Sequence, residues 1–321
     1  MAAMTMSFEQ SYSIDSPTGA TLSLRRQPAD GTARGILVLS HGLAEHSARY
    51  GAFARSMAAT GLEVYAHDHR GHGQTVASDA PIGRFGANDG RRKVVADVMA
   101  VRAHALTNHQ GLPVILFGHS MGGLIAWNSV ISNPAAFDAV AVWNSNFQAG
   151  AAGRAAQAIL AIEKAMKGSD VPSGMLPRLT FEAWGKAVPN RRTLFDWLSH
   201  DQTVVDAYIA DPLCGFDASV SLWQDLFGLI YRGGNAANWS GIDRHLPIHL
   251  VGGAEDPATN GGKAVDRMAD DLRRAGFRDV TLALLSGFRH ETLNEIGAAQ
   301  PIEAFQSWVD RVLEHRRPQE Q

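Results

Sequence analysis

Seven short, mainly apolar or β-branched runs, each bounded by Gly, Pro or Asp, recur along the chain. They are TLSLRR from Thr21, GILVLSHG (Gly35–Gly42), LEVYAHD (Leu62–Asp68), PVILFGHS (Pro113–Ser120), AVAVWNS (Ala139–Ser145), PIHLVGGAED (Pro247–Asp256) and VTLALLSG (Val280–Gly287). Several are continuous rather than alternating, which is the pattern of strands buried on both faces of a parallel sheet. Between them lie stretches of helical period such as YGAFARSMAATG and KVVADVMAVRAHALTNH. Strand and helix in alternation predict a parallel α/β sheet.

One region breaks the alternation. From about Asn146 to Ile242 no convincing strand is found, while helical patterns recur. Ala155, Ile159, Ile162 and Met166 are spaced to share one helical face, and Trp223, Leu226, Phe227 and Ile230 in SLWQDLFGLIYRG do the same. A helical insertion over one edge of an α/β domain is the simplest organisation. It places residues 1–145 and 243–321 in the core and 146–242 in a cap. The tail HRRPQEQ is polar and expected to fray.

Composition narrows the class. At 321 residues, 45% hydrophobic and 19% charged, the chain can bury one large core. A net charge of -3 without a basic cluster argues against nucleic acid as a partner. The single cysteine, Cys214, gives no internal disulfide framework and fits a reducing compartment; it reads as a small buried apolar side chain. The opening MAAMTMSFEQSYSID lacks the basic and apolar regions of a secretory signal. No run approaches the roughly 18 apolar residues of a membrane span. The expected location is the cytoplasm.

The chemistry begins at Gly118-His119-Ser120-Met121-Gly122, a G-x-S-x-G pattern between an apolar strand and the helix MGGLIAWNSV. Such a sharp strand-to-helix turn holds the serine in a strained conformation, and the flanking glycines let neighbouring backbone come close. The helix that follows directs its positive end at the hydroxyl. A serine needs a base and an orienting carboxylate to become a nucleophile. In this architecture they follow in the order Ser, Asp or Glu, His. Glu255 and Asp256 stand just past one strand, and His290 stands in the loop after the last. His67, His69 and His72 in HDHRGHG suggest a metal cluster, but the H-x-H-x-D-H spacing of metallo-hydrolases needs an aspartate where this chain has Gly71. They read as a packed loop; neither metal nor cofactor is expected. His119 reads as an orienting or packing residue, and His245 and His249 as structural.

With these residues assembled, the chain resembles the α/β-hydrolase superfamily, and within it the monoacylglycerol lipase and lysophospholipase group. The stretches that carry the likeness are SHGLAEHSARY (Ser40–Tyr50), AHDHRGHGQT (Ala66–Thr75), GHSMGG (Gly118–Gly123), GGAEDP (Gly252–Pro257) and RHETLNE (Arg289–Glu295). The resemblance implies a mostly parallel eight-stranded sheet flanked by helices, with an inserted helical cap. It implies Ser120 as nucleophile, His290 as general base and then acid, and Asp256 rather than Glu255 as the orienting carboxylate. It also implies an oxyanion hole from the backbone N–H groups of Leu43 and Met121. Glu45, His46 and Arg49 match the group's Glu-His-x-x-Arg pattern, implying a buried ion pair that steadies the oxyanion loop. The DWLSHDQTVVDAYIADPLCGF stretch (Asp196–Phe216) resembles the cap of bacterial members.

The activity expected is hydrolysis of acyl esters through an acyl-enzyme. Trp184, Trp197, Trp223 and Phe227 are the candidate lining of an apolar substrate pocket, and an amphipathic cap helix is a candidate for transient contact with lipid surfaces. Two other readings stand beside this one: amide or peptide cleavage by the same triad, which a cap carboxylate capturing an amine would favour, and a non-catalytic binding module, which would lack a triad member. Acyl length, headgroup and oligomeric state are not fixed by these features.

Overall fold

The computed structural model describes residues 8–315. Of the tail HRRPQEQ, all but His315 lies outside these residues, as does the start of MAAMTMSFEQSYSID. Among the described residues nine strands form one sheet: β1 (Ser11–Asp15), β2 (Ala20–Gln27), β3 (Gly35–Ser40), β4 (Leu62–His67), β5 (Val76–Ala77), β6 (Val114–His119), β7 (Ala139–Trp143), β8 (Ile248–Gly253) and β9 (Val280–Leu285). Eight run edge to edge in the order β1-β2-β4-β3-β6-β7-β8-β9, and the two-residue β5 pairs with β2. From β4 to β9 every pairing is parallel, while β1, β2 and β5 pair antiparallel. The seven apolar or β-branched runs are β2, β3, β4, β6, β7, β8 and β9. The sequence reading passed over β1 (SYSID) and β5, because neither carries an apolar run; β1 is half exposed along its length.

Among the described residues ten α-helices accompany the sheet: α1 (Gly51–Ala58), α2 (Gly90–Asn108), α3 (Met121–Ser132), α4 (Gly150–Lys167), α5 (Leu176–Leu179), α6 (Phe181–Ala187), α7 (Gln202–Ala210), α8 (Val220–Gly233), α9 (Lys263–Arg274) and α10 (Ala299–His315). Side chains alternate across the strands, so each face has its own core. Ile36 and Val38 of β3 and Leu116 of β6 pack with Val94, Val98, Trp127 and Leu272 from α2, α3 and α9. Leu37, Leu39, Ile115 and Phe117 point the other way, onto Phe53 of α1 and Phe305 and Trp308 of α10. Burial on both faces explains why these strands are continuous apolar runs.

Between β7 and β8 the chain is helical, α4 to α8, with one isolated bridge between Pro172 and Ser219. Trp223, Leu226 and Phe227 of α8 belong to the first sheet core. Val188, Trp197, Leu198 and Tyr208 form a small cluster of their own. The α4 stripe differs from the sequence reading. Its buried side is Gly153, Ala156 and Leu160, whereas Ile162 and Met166 are 60% and 82% exposed. The period was legible, but which side of the helix would be covered depends on where α8 lies. Among the described residues no helix is long and apolar enough to cross a membrane.

Candidate active site

The loops beyond β3, β6, β8 and β9 meet at one edge of the sheet, the carboxyl ends of the parallel strands. Ser120 follows β6 directly with φ 54 and ψ -120, a left-handed conformation costly for any side chain but glycine. The crossing is tight enough to dictate its neighbours. A Cβ on Gly118 would lie 2.2 Å from the Gly122 carbonyl oxygen, and one on Gly122 would lie 2.0 Å from that of Ser40. Both glycines are steric requirements of the turn.

The hydroxyl is held from across the chain. His290 Nε2 is 2.9 Å from Ser120 Oγ, and His290 Nδ1 is 3.0 Å from Asp256 Oδ2. Asp256 is fully buried and accepts further hydrogen bonds from Asn144 Nδ2 at 3.2 Å, Thr259 Oγ1 at 2.8 Å and the Ala258 N–H at 2.9 Å. Burial pushes its carboxyl up, but His290, Asn144 and Thr259 outweigh that and hold it below the usual carboxylate range. Its neighbour Glu255 is half exposed and pairs with His200 at 3.1 Å. The structure thus brings Ser120, His290 and Asp256 together and leaves Glu255 outside.

Around this line stand groups that the sequence reading only partly foresaw. His119 Nε2 donates to the carbonyl oxygen of His290 at 2.9 Å, and its ring lies 4.9 Å from that of His290. Asn144, at φ 52, accepts from Thr292 Oγ1 at 2.9 Å while it donates to Asp256. The Trp197 ring lies tilted against that of His290, centroids 4.8 Å apart, and the carbonyls of Trp197 and Leu198 accept the N–H groups of His290 and Glu291. No local signal marks Asn144 or Thr292; their partners are more than a hundred residues away.

The loop after β3 is fastened to the same place. Gly42 lies against Ser120, a Cβ there standing 3.4 Å from that of the serine. The buried Glu45 carboxylate accepts the Gly42 N–H at 2.5 Å and the Tyr50 hydroxyl at 2.7 Å. Arg49 donates to Glu45 at 2.6 Å and forms a two-pronged pair with Glu291 at 2.6 and 2.8 Å. Burial pushes the Glu45 carboxyl up, but His119 and Arg49 outweigh it and hold the group well below its ordinary range. Of Glu45, His46 and Arg49, among which a buried ion pair was expected, Glu45 and Arg49 form one, while His46 pairs with Asp211 at 2.8 Å. Among the described residues the N–H groups of Leu43 and Met121 have no hydrogen-bond partner.

A cavity of about 360 Å³ opens over Ser120. Trp184, Trp197, Trp223 and Phe227, the four candidate lining residues, all face it, with Ala149, Ala156 and Phe181. A larger groove of about 1100 Å³ between α2, α3 and α8 carries none of these groups. The histidines of HDHRGHG lie beneath the β3 loop with His41. The His41 and His69 rings are 4.3 Å apart, those of His67 and His69 4.7 Å, and the cluster does not gather three donor atoms into one cation site. At Gly71, where a metallo-hydrolase would need aspartate, a Cβ would lie 2.0 Å from the Arg84 carbonyl oxygen.

Fold and site define the class: an α/β-hydrolase. A family described as serine aminopeptidase, S33, matches residues 31–297. The chain is 32% identical over 285 residues to the monoglyceride lipase of Homo sapiens, covering 87% of this chain and 82% of that one. It is 28% identical over 284 residues to the monoacylglycerol lipase of Mycolicibacterium smegmatis, covering 87% and 89%. Its fold matches a thermostable carboxyl esterase from Bacillus coagulans crystallised with glycerol, at a TM-score of 0.85 and 22% identity over 96% of this chain and 100% of that one. The chain belongs to this serine aminopeptidase S33 family of α/β-hydrolases, and it is a monoglyceride-lipase-like serine hydrolase of carboxylic esters.

Proposed function

We propose that this protein hydrolyses monoacylglycerols and related small acyl esters in two steps through an acyl-Ser120 intermediate. The observation that carries the reading is the unbroken hydrogen-bonded line from Ser120 Oγ through His290 to the buried Asp256. In the first step His290 Nε2 takes the hydroxyl proton as Oγ attacks the ester carbonyl carbon. Asp256 keeps the proton on Nδ1 and stabilises the imidazolium that forms. The Leu43 and Met121 N–H groups receive the developing alkoxide, each such donor supplying about 2.7–4 kcal/mol to the transition state. As the tetrahedral species collapses, His290 gives its proton to the leaving alcohol. Water, deprotonated by the same imidazole, then releases the fatty acid.

Residues 146–242 act in this reading as a cap on the core formed by 1–145 and 243–321. Its aromatic side chains Trp184, Trp197, Trp223 and Phe227 receive the acyl chain. Amide cleavage finds little support. The two acidic residues that line the cavity, Glu45 and Glu291, are both tied to Arg49, so neither is available to capture a substrate amine. The outward-facing Ile162 and Met166 of α4, with Met175 and Leu179 nearby in sequence, are exposed and support transient contact with a lipid surface. The single cysteine supports a reducing location, the cytoplasm.

Ser120→Ala tests the assignment. Turnover of a glycerol monoester falls to background while the thermal midpoint stays within a few degrees, and a fluorophosphonate probe labels the parent but not the variant. Undiminished hydrolysis in the folded variant would remove Ser120 from its role.

A further inference from the structure

Apart from the hydrolytic centre, one set of side chains among the described residues is arranged as metal ligands. His46 leaves the β3 loop four residues past Gly42. Asp211 and Cys214 come from the turn that closes α7. The His46 Nε2, an Asp211 carboxylate oxygen and the Cys214 Sγ all lie within 4.8 Å of one another. Zinc in a tetrahedral N, O, S site sets its ligand atoms roughly 3.3–3.6 Å apart, so side-chain rotations of about 1 Å close the set.

The backbone is already shaped for it. The Asp211 side chain accepts the Leu213 N–H through Oδ1 at 2.9 Å, which turns Oδ2 toward His46 at 2.8 Å. The Cys214 N–H donates to the Asp211 carbonyl at 3.0 Å. The next residue, Gly215, donates its N–H to the Ala44 carbonyl at 2.9 Å, and Tyr208 donates its hydroxyl to the same oxygen at 2.9 Å. Ala44 itself stands at φ 55. The turn and the β3 loop are therefore held in register by contacts independent of the three donors.

Charge points the same way. Near the thiol stand Asp211, Glu45 and Glu291 against one cation, Arg49. A divalent cation would neutralise this surplus, binding Sγ as the thiolate with release of the thiol proton to solvent, and binding His46 through the Nε2 lone pair.

We propose that His46, Asp211 and Cys214 form a binding site for one thiophilic divalent cation of the zinc class, with water as fourth ligand, bridging the β3 loop and the turn after α7. Calcium and magnesium, which require oxygen ligands, would not compete.

Because Cys214 is the single cysteine of the chain, cadmium reports on it specifically. The reduced full-length protein is titrated with Cd²⁺ while the ultraviolet thiolate-to-metal charge-transfer band is followed. The expected result is a band that saturates at one equivalent, is abolished in Cys214→Ser and is displaced by Zn²⁺ but not by Mg²⁺. In His46→Gln, which preserves a donor to Asp211, and in Asp211→Asn, the midpoint shifts at least tenfold to higher Cd²⁺. Circular dichroism verifies that each variant is folded. Absence of the band at excess Cd²⁺, or an unshifted midpoint in both ligand variants, overturns the site. Neither readout depends on hydrolysis, so the result stands apart from the fate of Ser120.

Discussion

Glu45 and Gly42 are joined by a buried hydrogen bond of 2.5 Å, carboxylate to backbone N–H, three residues apart. That contact holds the His41–Gly42 peptide, one peptide before the Leu43 N–H, which has no hydrogen-bond partner among the described residues. In the proposed reaction, the placement of the Leu43 N–H as an oxyanion donor depends on this carboxylate. Replacing Glu45 with Ala leaves the Gly42 N–H and the Tyr50 hydroxyl without an acceptor. The expected outcome is a fall in kcat of roughly 10- to 100-fold with KM changed little, part of what the loss of a whole oxyanion donor costs. Glu45→Gln, whose amide oxygen can still accept from Gly42, recovers part of it. A kcat within twofold of the parent in Glu45→Ala would refute the dependence.

Asp256 accepts four hydrogen bonds, one of them from His290. Asp256→Asn preserves the shape but removes the charge that faces the imidazolium and favours the wrong tautomer. We expect kcat to drop on the order of 10⁴-fold, with substrate binding retained and the stability loss confined to the remaining contacts. Steady-state kinetics on a nitrophenyl ester measures it; a loss smaller than tenfold speaks for Glu255 or another carboxylate.

The acid limb of stability should be steep. Burial lowers His67 to about 4, and burial likewise lowers His72 and His249 to about 3. Each imidazole is neutral in the folded chain and takes up a proton near pH 6.5 once unfolded. Between pH 6.5 and 4 the unfolded chain binds more protons, so stability is full above 6.5 and is lost as pH falls through that window. Each group contributes up to about 1.4 kcal/mol per pH unit, and three together approach the whole stability of a typical domain within two units. Urea unfolding at pH 7 and pH 5 compares the midpoints, and equal midpoints sink the argument.

Chain-length preference should follow the wall of the cavity. Ala156 of α4 is buried and lines it. Ala156→Phe shortens the space open to an acyl tail. With about 0.8 kcal/mol per methylene buried, exclusion of three methylenes lowers kcat/KM for a long acyl ester by roughly 50-fold. Acetyl ester turnover stays near that of the parent. Equal losses across a chain-length series would show that the tail lies elsewhere.

The parts legible in the sequence are those in which cause and effect sit within a few residues. Burial on both faces of a strand writes itself as a continuous apolar run, and so seven strands were recognised. The exposed β1 and the two-residue β5, held by pairing alone, were not. The strain at Ser120 and the backbone crowding at Gly118 and Gly122 belong to one turn. That turn, the order of serine, acid and histidine, and the positions of the last two past strand ends sufficed to nominate the three residues that the fold brings together.

Tertiary structure alone decided the rest, because contacts across the sheet edge depend on how far each strand runs and on what packs over it. Arg49 meets Glu291 over a separation of 242 residues, and nothing in either segment foretells the other. The same holds for His119 at the His290 carbonyl, for Asn144 beneath Asp256, and for the turn that carries Asp211 and Cys214 to His46. On α4 the periodicity fixed which residues share a face, but only the placement of α8 fixed which face is buried. A one-dimensional pattern records a helix's symmetry; what covers it is a property of three dimensions.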